Sequence, residues 1–184
     1  MRRLLDTLYA GALGVACLSM VLIALMVMAQ ILGRLIDRGL ILAGATPLGL
    51  SIPSLSDFGG FLFVSGATLA LPATLRAAGH VRVTLVAGLA GARAGRALDG
   101  LALAAALLLA GFATWHLGAQ AWDSFRVNAV SFGMVRIPLW IPQGVMTLGF
   151  ALLVVALADE LAAVLAGRDP AFRIAERTRS EGGH

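Results

Sequence analysis

Metal, haem or redox chemistry in this chain would have to come from three histidines, His80, His116 and His184, and from one cysteine, Cys17. Two axial histidines at one depth would make a membrane haem site, and a cluster of His, Cys and acids would make a metal site. The positions do not converge. His80 follows an apolar run at its Arg-rich end, whereas His116 lies sixteen residues into the next run. On a helix that is roughly 24 Å away from the same side, too far for one iron. His184 ends a polar tail and Cys17 sits in the middle of an apolar run, where it has no cysteine to pair with and reads as a small packing residue. No cofactor, metal site or catalytic residue is expected.

Polar side chains within apolar sequence are the other candidates for chemistry: Gln30, Ser65, Thr68, Thr74, His116 and Gln120. Proton relays and ion paths in membranes are usually built on intramembrane acids or bases. The apolar runs hold no Asp, Glu, Lys or Arg, so a coupling site carried by this chain alone is not expected.

Those runs define the elements. Leu8 to Ala29, Phe58 to Leu75, Gly100 to Trp122 and Ile137 to Ala158 are charge-free over 22, 18, 23 and 22 residues. About 20 apolar residues cross a hydrocarbon core, and lipid offers backbone amides no partner, so each run must be a helix or part of a closed barrel. Runs this long without alternation exclude the barrel. The composition agrees, with 59% hydrophobic and 13% charged residues and a mean hydropathy of +0.90. The expected fold is an all-α integral membrane protein with four transmembrane helices, spanning about 8–32, 58–78, 99–122 and 137–158. These form a single domain over 1–166 with a polar tail at 167–184. The opening Met1-Arg2-Arg3 imitates a secretory signal, but the run behind it exceeds the usual apolar core of one, and reads as an uncleaved first helix.

All 14 basic residues are arginine and the pI is near 10.9. They fall in short connections beside the runs, which suits lipid headgroups rather than nucleic acid. With four spans, ten arginines lie on the side of both termini and four on the other. The positive-inside rule then places both termini in the cytoplasm. Trp115, Trp122 and Trp140 all fall in the outer leaflet in that arrangement, as interfacial tryptophans should. The charge-free stretch Gly39 to Ser56 could be counted as a fifth span with the same arginine balance. Its two prolines, three glycines and three serines suit a surface or re-entrant segment instead.

Small residues repeat every four positions in the third run, as Ala102, Ala106, Ala110, Thr114 and Gly118, with shorter versions at Ala10/Gly14, Ala12/Ala16 and Gly66/Ala70/Thr74. Such stripes let helix backbones approach closely, which drives association in lipid. The second and third helices are expected to pack on each other through them. The segment from Arg76 to Asp99 is basic and apolar but rich in glycine, and reads as a pair of short helices at the cytoplasmic surface, the second capped by Thr84.

Several residues share an order seen in one family. Gln30 and Arg34 close the first helix, Asp57 opens the second, and that helix leads into Arg76 and Gly79-His80-Val81-Arg82-Val83. Ile137-Pro138-Leu139-Trp140-Ile141-Pro142 begins the fourth, followed by Gly149. In this order and spacing, over roughly residues 5 to 165, the chain resembles the small membrane subunit of tripartite ATP-independent periplasmic (TRAP) transporters, the DctQ-like group. It departs from the family in having Ser56-Asp57 where an aromatic and Glu are usual, and Thr84 where an acid is common. The resemblance implies an inner-membrane, non-catalytic scaffold subunit of a sodium-coupled importer of organic anions. Its partners would be a large membrane permease, a periplasmic substrate-binding protein and membrane lipids. It also marks Gln30, Arg34, Asp57, Arg76, Gly79, His80, Arg82, Pro138, Trp140 and Pro142 as candidate interface residues. Arg34 and Asp57 would share the external side, open to pairing with each other or to meeting the binding protein. The competing reading is a stand-alone or homo-oligomeric four-helix membrane protein.

Overall fold

The computed structural model describes residues 2–77 and 91–168, with side chains over 5–77 and 95–168. Among the described residues there are four helices: α1 (Arg2–Leu42), α2 (Leu55–Arg76), α3 (Gly91–Arg126) and α4 (Trp140–Leu165). Each is long and apolar enough to cross a membrane. Gly79, His80, Arg82, Thr84 and the tail beyond 168 lie outside the described residues. The third helix starts at Gly91, eight residues ahead of the expected span, so Gly91 and Gly95 do not break it.

The helices stand in the order α1, α2, α4, α3: α1 packs on α2, α2 on α4, and α4 on α3. The expected pairing of the second and third helices is therefore not what forms. The fourth helix lies between them and receives a small-residue face from each side.

α1 turns one face to its neighbour. Its least exposed residues are Tyr9, Ala12, Ala16, Ser19, Ile23, Met26, Gln30, Gly33, Asp37 and Leu40, spaced alternately three and four apart. That 3.5-residue period is the seam of a left-handed helix pair. The seam is hidden in the sequence because the rest of the helix is apolar too. Within it, Ala12 and Ala16 form a core with Leu69 of α2. A Cβ on Gly66 would lie 3.0 Å from Met20 Cε and 3.3 Å from the Ala16 carbonyl, so this crossing is close but not closed.

The α2–α4 crossing is tighter and depends on a proline. Pro72 is fully buried within α2 and has no N–H to give the carbonyl of Thr68, four residues before it. At this carbonyl the two helices are in direct contact: a Cβ on Gly149 of α4 would stand 2.7 Å from the Thr68 carbonyl carbon and 2.8 Å from its oxygen. Only a residue without a side chain fits.

The third crossing joins α3 to α4 through Leu103, Ala110, Leu157 and Val164, with Ala106 and Leu107 alongside. At Gly118 a Cβ would lie 3.5 Å from Thr147 Cγ2, which is ordinary contact distance. Ala106, Ala110, Thr114 and Gly118 of the four-residue repeat thus face α4, while Ala102 is exposed and Leu103 occupies the interface at that level.

Helix lengths are unequal, which shapes one end of the molecule. Asp6 meets Arg76 and Ser19 lies beside Gly66, so α1 and α2 are level where α1 begins. Gln30 is opposite Ile52, just before α2 starts. The twelve residues of α1 after Gln30 therefore project about 18 Å past the start of α2.

Substituting Gly149 by Leu is expected to force α2 and α4 apart and to cost about 1–3 kcal/mol, the range for overpacking a filled core. Gly14→Leu, at a glycine with nothing within 4 Å, is the matched control. Thermal unfolding in detergent should show a lowered midpoint for the first and not the second. Equal midpoints would refute the crossing.

Candidate functional site

Polar groups inside the helices are mostly used locally. Thr68 Oγ1 donates to the carbonyls of Val64 and Ser65, Thr74 to Leu71, Thr114 to Ala110, Thr147 to Gln143 and Ser19 to Val15. A hydroxyl bonded back to its own helix does not reach a ligand. Among the described residues no group of three His, Cys, Asp or Glu comes together in a way that could hold a metal.

The candidate interface residues instead build two fastenings at opposite ends. At the end where α1 projects, residues 43–54 form no helix and run back along the flank of α1. The Ile52 N–H donates to Gln30 Oε1 at 2.6 Å, and the Leu48 and Leu50 N–H groups donate to the two carboxylate oxygens of Asp37 at 2.9 and 3.0 Å. Alternate amides of an extended strap thus face the seam of α1. Gly33 lies between the two anchors, where any side chain would collide with the Leu50 carbonyl. Gln30 is legible in the sequence as a candidate, and its role is to hold this strap. Asp37 and Gly33 do not stand out there, although their spacing of three and then four from Gln30 is the signal.

Arg34 and Asp57 do not meet. Arg34 is exposed and lines a surface groove with Ile31, Leu35, Asp37, Arg38 and Ile41. Asp57 sits in the first turn of α2 beneath a hairpin that joins α3 to α4, in which Val130 pairs with Pro138. Gly133, at the hairpin tip, lies so close to Asp57 and Ser54 that a side chain there would run into both. Ser54 makes no cap bond to its own helix; its Oγ accepts the Val135 N–H at 2.8 Å. Ser131 closes the hairpin by donating to the Val135 carbonyl and accepting the Ile137 N–H. The helix after the hairpin begins at Trp140 with Leu139 as its N-cap, so Ile137 and Pro138 belong to the returning limb of the hairpin and not to the helix. Pro142 is tolerated in the first turn, where an N–H would lack an intrahelical partner. Trp140 meets Phe125 edge-on at 5.7 Å, and Phe125 in turn lies 6.0 Å from Trp122.

At the opposite end Arg76, the last residue of α2, reaches two other helices. Its Nη1 pairs with Asp6 of α1, its Nε lies 3.7 Å from Glu160 of α4, and its guanidinium lies 5.5 Å from the ring centre of Tyr9. Glu160 is only 2% exposed, against 21% for Arg76 and 54% for Asp6. Burying a carboxylate this deeply is costly unless charge and hydrogen bonds compensate it, and Arg76 brings a cation beside it. Neither Asp6 nor Glu160 stands out in the sequence, since both lie just beyond charge-free runs. Their common membrane level with Arg76, once the spans are placed, is the signal that finds them.

Comparison with known families matches residues 23–167 to the model of the tripartite ATP-independent periplasmic transporters, DctQ component. The chain belongs to the DctQ family. It is thus the small membrane component of a TRAP transporter, a multi-pass inner-membrane protein and a transporter component rather than an enzyme. Comparison with curated proteins returns no match. The matched region begins within α1 and includes the strap, the hairpin, Arg76 and Glu160, but not Asp6. In this DctQ component the tie at Arg76 therefore joins two residues within the family region to one before it.

Arg76→Gln is expected to destabilise the DctQ component by up to about 3–5 kcal/mol, the range for breaking a buried ion pair, because it removes a cation beside a buried carboxylate. The double variant Arg76→Gln/Glu160→Gln should recover part of that loss. Detergent unfolding midpoints measure both, and a double variant no more stable than the single one would refute the pairing.

Proposed function

We propose that this DctQ component is a static brace in a sodium-coupled TRAP importer of an organic anion such as a dicarboxylate or sugar acid, delivered by a periplasmic binding protein to a large permease subunit. The observation that carries the reading is the way α2 is held along its whole length. Arg76 ties one end to α1 and α4, the hairpin sits on Ser54 and Asp57 at the other, and Gly66 and Gly149 mark close crossings between them. A helix restrained at both ends and at two crossings suits a fixed support better than a moving part.

The orientation proposed has both termini in the cytoplasm, with a single transmembrane domain over 1–166 and a polar cytoplasmic tail. The arginine balance of ten to four supports it, and Trp122 and Trp140 beside the hairpin mark that end as a membrane interface. The strap, the projecting end of α1 and the hairpin then face the periplasm. Arg34 on that projection and Phe132 and Met134 at the hairpin tip are exposed there and available to the other subunits. Substrate and sodium belong to the permease in this reading, because the hydroxyls of Ser19, Thr68, Thr74, Thr114 and Thr147 bond to their own helices and the buried charge holds the helices together.

Reconstitution tests the proposal. Permease and binding protein in proteoliposomes should take up labelled anion under an inward sodium gradient when the DctQ component is present, and lose nearly all uptake when it is omitted. Equal uptake without it would contradict the brace.

A further inference from the structure

The row of helices leaves two open edges, α1 and α3, and they differ in chemistry. Between Leu8 and Met28 the exposed side chains of α1 include Leu8, Leu13, Leu18, Leu25 and Met28, a surface that acyl chains cover without penalty. α3 begins the same way, with Leu98, Leu101, Leu108 and Leu109 exposed. Towards the hairpin its character changes. Phe112 and Trp115 are 66% and 76% exposed, and His116 and Gln120 are exposed beside them. At 100° per residue, positions 112, 116 and 120 fall within about 80° of one another, a single face.

Depth makes this face unusual. His116 lies six residues inward of Trp122, about 9 Å, and ten residues inward of Arg126, about 15 Å. An imidazole is too short to reach headgroups from there, unlike the long side chains that snorkel. Trp115 places an indole N–H at the same level. Among the described residues His116 and Gln120 form no hydrogen bond, and the neighbour of the His116 ring is Phe112, at 4.2 Å between centroids. Hydrocarbon supplies no donor or acceptor, so polar groups at this depth normally face protein.

We propose that the hairpin half of α3, around Phe112, Trp115, His116 and Gln120, is the surface on which a transmembrane helix of the large permease subunit docks, one that offers hydroxyl, amide or backbone groups to His116 and Gln120. The proposal rests on the reading that the DctQ component works in complex with that permease. It adds which edge is covered: α3, with the membrane part of α1 left to lipid. Polar side chains act as interhelical fasteners in membranes, and the aromatic pair flanking them supplies the packed area.

The test uses the complex co-expressed in native membranes, with a photo-crosslinking amino acid placed at Phe112 or His116, or at Leu18 or Leu25 on α1. Adducts with the permease are expected from the two α3 positions and not from the two on α1. As a second measurement, His116→Leu/Gln120→Leu should reduce the permease that co-purifies by about tenfold, as loss of two interhelical bonds implies. The amount of DctQ component should stay the same. Permease adducts from α1 alone, lipid labelling alone at 112 and 116, a homodimer adduct at 116, or unchanged co-purification of the double variant would each overturn the docking face while leaving the complex intact. Failure of the unmodified proteins to co-purify would overturn the reading beneath it as well.

Discussion

The contact of Gly149 with the Thr68 carbonyl is the tight point at the centre of the helix row. Pro72 leaves that carbonyl without its usual helical donor, and only a residue without a side chain lets α4 approach it so closely. That places α4 against α2. α3 then packs on the far side of α4 through Ala106, Ala110 and Gly118, and α1 takes the remaining side of α2. Since weak hydrophobic drive between helices in a bilayer leaves close packing and polar ties to specify the fold, a row with one proline-dependent crossing at its centre is a consistent solution.

Charge reinforces the same arrangement at the ends. Arg76 draws together Asp6 and Glu160, the first on α1 and the second on α4, which α2 separates. Buried ion pairs contribute little net stability compared with apolar packing, but breaking one is costly. A buried Glu160 beside the Arg76 guanidinium therefore penalises any arrangement that parts α2 from α4 at that end. At the other end the specification is made by backbone amides. Leu48, Leu50 and Ile52 bond to Asp37 and Gln30, and Val135 bonds to Ser54. The loops are thereby attached to helix ends, which suits the proposed brace.

The four spans and the membrane class are legible because a run of about 20 residues without charge has one physical explanation. The family is legible in the order of Gln30, Asp57, Arg76 and the Pro138–Pro142 segment. Neighbour relations are not. Ala12, Gly66, Ala110 and Gly149 announce close approach, yet a small residue does not name its partner, and so the stripes suggest a pairing of the second and third helices where the fourth intervenes. The strap escapes sequence reasoning for a related reason: Asp37 and Gln30 bond to amides eleven and twenty-two residues away, a relation carried by the backbone and absent from side-chain patterning. Glu160 shows how far further reading can go. Asp6, Arg76 and Glu160 follow from placing each charge at its level once the topology is drawn.

The central claim is that the DctQ component keeps one shape while the transporter works. Spin labels at Leu13 on α1 and Leu108 on α3, both exposed and at opposite edges of the row, would report its width by pulsed electron resonance in the assembled complex. One distance distribution, unchanged between sodium-free, sodium-bound and anion-loaded conditions, is expected of a brace. A shift of several ångströms on adding sodium and anion would show that this subunit moves, and would contradict the account.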